Sequence, residues 1–215
     1  MVTAISRRLA YASLLLALCA AGCGSTSGSA SHTSAAASSD SASHTSATAA
    51  TGALTSQALS ELRPAQVPSG WRVARIPDGA VMPYPPGWNL IHGDRGTATA
   101  ALLDAGQRYL GYLNVTPRQA NEKLAGWAAF RVHHNAEEGE RDLQTLASRT
   151  AVRVRGGHGS CVEDAYNTSA GTRYIEIACL ISGPRTTAVV VGAAAPGTWA
   201  RMAPTLEQAI SAASG

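Results

Sequence analysis

SCVEDAYNTSAGTRYIEIACLIS, Ser160 to Ser182, is the stretch that decides the fold. Two runs rich in apolar and aromatic residues, 160–167 and 173–182, flank Thr168–Gly171, a cluster of turn formers, and this pattern predicts an antiparallel hairpin. Folded symmetrically about Ala170, the hairpin sets Cys161 opposite Cys179, Tyr166 opposite Tyr174 and Ala165 opposite Ile175. In a non-hydrogen-bonded pair the α-carbons lie about 4.5 Å apart, within reach of a disulfide. Cys161–Cys179 is therefore expected as a structural bond, contributing roughly 3 kcal/mol for a loop of this size. The same register sets Asp164 against Glu176. That like-charge pair needs an arginine such as Arg153 or Arg155 beside it, or a register slip of two residues.

Upstream of the hairpin, Gly and Pro clusters cut the chain into short runs at 71–76, 81–84, 88–92, 97–103 and 109–116. Runs of that length between turn residues read as antiparallel strands. Residues 119–134 follow, with Leu124, Trp127, Ala128 and Arg131 at helical spacing and Gly126 among them. Residues 142–155 fit helix or strand. Downstream, 186–195 reads as an apolar strand. Leu206, Ala209, Ile210 and Ala213 then make one helical face, with Pro204 suited to its first turn and Trp199 and Met202 in a turn before it. The expected architecture is α+β, an antiparallel sheet flanked by helices, over a single domain spanning 59–215. Trp71, Trp88, Trp127 and Trp199 are its expected core.

The first residues describe a journey rather than a fold. Arg7 and Arg8 precede Leu9–Ala21, a mostly apolar run ending in small residues, which together read as a signal peptide over 1–22. The run is too short to span a bilayer, which takes about 20 residues. Ala20-Ala21-Gly22-Cys23 resembles a bacterial lipobox, and that resemblance implies cleavage after Gly22 and a lipid on Cys23, placing the chain on the outer face of the cell membrane. Residues 23–58 are almost wholly Ser, Thr, Ala and Gly and read as a disordered tether, since they bury too little apolar surface to offset the entropy of ordering. Export also places Cys161 and Cys179 where disulfides persist.

Removing 1–22 lowers the formal charge from +3 to +1. No basic stripe remains along the sequence, so no nucleic-acid partner is expected. All basic residues but Lys123 are arginine, and alanine and glycine are abundant, an association with GC-rich actinobacterial genomes.

Tyr84-Pro85-Pro86-Gly87-Trp88, entering a strand and followed by a meander, resembles the opening of Mog1/PsbP-like domains. The late segment with Cys161, Tyr166, the Tyr174–Cys179 strand and Trp199 is similar to actinobacterial lipoproteins carrying that domain. The resemblance implies an α/β/α sandwich that binds protein partners or other ligands without catalysis.

Catalytic readings are incomplete. Gly157-His158-Gly159-Ser160-Cys161 places a serine among glycines, but Val162 stands where a nucleophile elbow needs glycine. His133 with Glu137 and His134 with Glu138 are i, i+4 pairs of the kind that hold a divalent metal. They equally end a helix, with the imidazoles near its negative pole, Gly139 as a stop, and Arg131, His134, Asn135 and Glu138 tying the helix end to the sheet. No phosphate loop, dinucleotide fingerprint or Cys-x-x-Cys occurs, and neither cofactor nor metal is expected. The function read from the sequence is a membrane-tethered, non-catalytic binding module engaging an envelope protein, lipid or glycoconjugate. The alternative is an envelope hydrolase using Ser160 or a metal at His133 and His134.

Overall fold

The computed structural model describes residues 58–119 and 121–215. The signal segment, Cys23 and all of the tether but Ala58 lie outside the described residues. A 3-10 turn, Ala58–Ser60, leads into β1 (Arg72–Arg75), β2 (Val81–Tyr84), β3 (Asn89–Ile91), β4 (Ala98–Leu103) and β5 (Tyr109–Pro117). Then come α1 (Trp127–Glu137), β6 (Arg141–Val154), β7 (Gly157–Asn167), β8 (Arg173–Ser182), β9 (Thr187–Ala194) and α2 (Pro196–Ser211).

β1 and β2 form a separate hairpin, and the other seven strands form one sheet in the order β3-β4-β5-β9-β8-β7-β6. Every strand pair is antiparallel. The chain leaves β5, crosses one face as α1, enters at the far edge as β6 and meanders back until β9 pairs with β5. The protein is thus an α+β fold whose antiparallel sheet is flanked by two helices.

Period-two alternation distributes each strand between two cores. On β8, Ile177, Cys179 and Ile181 face the larger core with Leu206, Ala209 and Ile210 of α2 and the β1–β2 hairpin. Ala178 and Leu180 face the smaller core with Val162, Val189, Val191 and Trp127 of α1. Because both faces of β8 and β9 are covered, these strands are apolar through most of their length, whereas β7 also buries Ser160, Glu163 and Asp164. Gly192 lets α2 lie close on β9: a β-carbon there would meet that of Leu206 at 3.0 Å. Trp88 and Trp127 are buried, and Trp71 and Trp199 pack half-buried against the larger core.

The hairpin 157–182 has the register centred on Ala170, with Cys161 opposite Cys179, Asp164 opposite Glu176 and Tyr166 opposite Tyr174. Cys161 and Cys179 are joined by a disulfide, their α-carbons 4.1 Å apart. Its turn is closed by the Gly171 N–H donating to the Thr168 carbonyl.

Two expectations need correction, and one left open is settled. The first helix begins at Trp127, not near Gln119. The Gln119 N–H donates to the Glu122 carboxylate and the Arg118 Nε to the Glu122 carbonyl, folding that stretch into a turn. Gly126 then sits at φ 80°, which an α-helix cannot contain. The last helix begins at Pro196, which fills its first position, so Trp199 and Met202 lie inside it and Pro204 is interior rather than in the first turn. Pro204 is exposed, so its ring meets solvent rather than the sheet. Residues 142–154, which fitted helix or strand, belong to β6, an edge strand with three register irregularities against β7 and positive φ at Asp142 and Ala151. Such bulges twist an edge away from further pairing.

Candidate functional site

The densest polar cluster lies in the seam between α1 and the sheet. Arg131 and Asn135, one turn apart, point from α1 onto β8, where Glu176 interrupts an otherwise apolar strand. Arg131 forks onto Glu176 with Nε–Oε1 at 2.8 Å and Nη2–Oε2 at 3.1 Å. Asn135 Nδ2 donates to Oε1 at 3.4 Å, and the Tyr166 hydroxyl donates to Oε2 at 3.1 Å. The Tyr112 hydroxyl lies 3.2 Å from that of Tyr166. Four contacts satisfy a carboxylate that has no exposure to solvent.

Asp164, across from Glu176, is equally buried, but both of its oxygens are without a hydrogen-bond partner. Burial, then the charge of Glu176, pushes its carboxyl up to about 8, so it is a neutral acid at pH 7. The counter-charge for this acid pair comes from Arg131 rather than from Arg153 or Arg155, which are exposed at the far end of β6 and beyond it. Burial also raises the Tyr112 and Tyr166 hydroxyls above the usual phenol range, so neither serves as a phenolate.

The rest of α1 continues the seam. The Trp127 indole N–H donates to the Ala178 carbonyl at 2.9 Å. Phe130 stacks on Trp127, and His134 stacks on Phe130. His134 meets Glu138 at 3.2 Å; this contact holds the imidazole above its usual range and the carboxylate below its own. Glu140, just past the helix, has one buried oxygen without a partner, and burial pushes it up to about 7.

The residues singled out from sequence separate in space. Ser160 is buried and its hydroxyl donates to the Leu124 carbonyl at 2.7 Å, so its proton points to a backbone oxygen instead of a base. His158 is exposed on β7 opposite Arg153. His133 and Glu137, 3.6 Å apart, form an exposed pair. One residue along a helix is about 100° of rotation, so this pair and His134–Glu138 diverge. Among the described residues, no three His, Cys, Asp or Glu side chains come together as a metal site. Cys161 and Cys179 face the larger core, away from α1. The expected Asp164–Glu176 pair and the expected tie of Arg131 and Asn135 to the sheet are both present; what sequence reasoning missed is that they are one cluster, with Arg131 as the arginine the acid pair needs.

No protein-family model and no curated protein matches the chain. Among solved structures it is similar to PsbP of the cyanobacterium Synechocystis sp. PCC 6803, at 13% identity over 68% of this chain and 92% of that one, with a TM-score of 0.48. It is similar to the Ran-binding protein Mog1p of Saccharomyces cerevisiae, at 12% identity over 66% and 86%, with a TM-score of 0.42. A third is LpqN of Mycobacterium tuberculosis, described as involved in cell envelope biogenesis, at 13% identity over 67% and 77%, with a TM-score of 0.31.

Proposed function

We propose that the protein is a lipid-anchored binding module of the bacterial cell envelope, cut before Cys23, lipidated on that cysteine, and held off the outer face of the membrane by residues 23–58. Its domain, 59–215, works by contact with an envelope protein, lipid or glycoconjugate rather than by catalysis. The observation that carries this reading is the N-terminal order Arg7-Arg8, Leu9–Ala21, Gly22-Cys23, in which charge, apolar run, small residues and cysteine fall in register.

Two structural features support it. The buried Cys161–Cys179 bond suits an exported protein, because cytosolic thiol pools keep such pairs reduced. Three polar side chains of the α1 side are already engaged: Arg131 with Glu176, His134 with Glu138, and Ser160 with the Leu124 carbonyl. A hydrolase using Ser160 or the histidine pairs would have to break these contacts first.

Fractionation of cells expressing Cys23→Ser tests the anchor. The variant is expected as uncut precursor or as released protein, and normal processing with full membrane retention would contradict the proposal.

A further inference from the structure

The fold gathers arginines that are far apart in the sequence. β6 and β7 turn at Arg155 and Gly156, and across that turn Arg153 pairs with His158. His158 pairs with Ser182 at the end of β8, and the following turn to β9, closed by the Gly183 N–H on the Thr186 carbonyl, carries Arg185. β5 ends beside it, where the Arg118 N–H donates to the Thr187 carbonyl. Ser214 bridges both Gly156 and Val81, and Val81 pairs with Arg75, so β1 delivers its last residue to the same end. Arg75, Arg118, Arg153, Arg155, Arg185 and His158 are all exposed there. Arg95 stands at the same end in the β3–β4 turn, next to Asp94.

The acids at this end are few. Asp78 accepts a hydrogen bond from the Thr186 hydroxyl at 3.2 Å, and Glu122 is buried in its own turn. None of these arginines takes part in the ion pairs of the described residues. At the opposite end Asp104, Glu137, Glu138, Glu140 and Asp142 outnumber Arg108, Arg141 and Arg173, so the domain is electrically polar along its strands. A chain with formal charge near zero after processing thus presents one strongly cationic end.

We infer that this arginine end is the surface by which the domain lies against an anionic membrane, its ligands being the phosphates of anionic phospholipid headgroups. The inference rests on the lipid-anchored reading and names the contact that reading leaves open. Guanidinium forks match phosphate oxygens in pairs, which suits arginine over lysine here. The groups are spread over strand ends and turns of β1, β5, β6, β7 and β8, so they can engage a broad charged surface at once. On the lipid-anchored reading the domain stays beside the membrane, so attraction of about fivefold per arginine suffices to orient it.

The test uses residues 23–215 with Cys23→Ser, made without lipid, so that it is independent of processing at Cys23. Co-sedimentation with phosphatidylcholine vesicles, with and without phosphatidylglycerol, is measured at low and high salt. Binding is expected only to the anionic vesicles and is expected to fall as salt screens it. Arg153→Gln with Arg155→Gln and Arg185→Gln should weaken it by about fivefold per residue. Arg108→Gln with Arg141→Gln and Arg201→Gln, which removes the same net charge elsewhere, should leave it within about twofold, each variant being checked for an unchanged melting transition. Equal loss in both triple variants, no binding of the parent to anionic vesicles, or binding to dextran sulfate in place of vesicles would overturn the inference. Failure of the anchor itself would show at Cys23 in cells and not in this assay.

Discussion

Asp164 and Glu176 face each other directly across β7 and β8, both without solvent exposure, and Arg131 in their seam bonds to Glu176 and leaves both Asp164 oxygens without a hydrogen bond. Two carboxylates at that separation cannot both ionise cheaply in a dry seam, and the unbonded one keeps its proton.

The proton on Asp164 makes stability fall with rising pH. Below its ordinary value of 3.8 the group is neutral in folded and unfolded chains alike. Between there and about 8 the folded state holds a proton that the unfolded chain releases, so stability is lost across that window and levels off above it. Glu140 and Glu207, both pushed up to about 7 mainly by burial, act in the same direction over a narrower range. Thermal melts should therefore show a lower Tm at pH 8.5 than at pH 5.5. Asp164→Asn should flatten the profile, gaining at the alkaline side and losing a little at the acid side, where its amide is buried without partners. A parallel pair of profiles would contradict this account.

Arg131→Ala should cost about 3–5 kcal/mol, because it leaves Glu176 charged and dry beneath α1. Replacing both partners, Arg131→Met with Glu176→Leu, should recover most of that loss. Urea denaturation of the two single variants and the double variant measures the coupling; additive losses would show that the ion pair does not hold the helix.

Removing the disulfide by Cys161→Ala with Cys179→Ala should lower stability by roughly 2–4 kcal/mol while the sheet persists. The bond closes a hairpin 18 residues apart in sequence whose register the tight turn already sets. Far-UV circular dichroism should be unchanged and the urea midpoint lower. Loss of the strand signal at low temperature would mean that the bond, rather than the turn and the two cores, fixes the register.

Ser160→Ala should cost about 1 kcal/mol through the lost bond to the Leu124 carbonyl and should change no hydrolytic activity. His133→Ala should be near neutral, since its contact with Glu137 is exposed. Ester hydrolysis by the parent that disappears in either variant, at unchanged Tm, would restore the hydrolase reading.

Much of this fold was legible, and its failures have physical causes. The 160–182 hairpin could be read residue by residue because one turn, one cysteine pair and strict alternation all demand the same register. β6 could not, because its bulges break the two-residue period on which strand recognition depends. Residues 119–126 carry helix-forming Ala, Glu, Lys and Leu, but the turn closed by Glu122 and the positive φ of Gly126 override that propensity. In α2 the spacing suits Pro204 to the first turn, but Pro196 occupies it, because the apolar face extends back through Met202 and Trp199. The arginine serving Asp164 and Glu176 was sought on neighbouring strands. It arrives instead from α1, far away in sequence, because the chain crosses the sheet between β5 and β6.

The central claim, a domain held to the membrane through Cys23, is tested most directly by the mass of the N-terminal peptide of protein purified from detergent-solubilised envelopes. The account predicts a peptide that begins at Cys23 and carries the added mass of a diacylglyceryl group. A peptide beginning elsewhere, with Cys23 unmodified or absent, would contradict it.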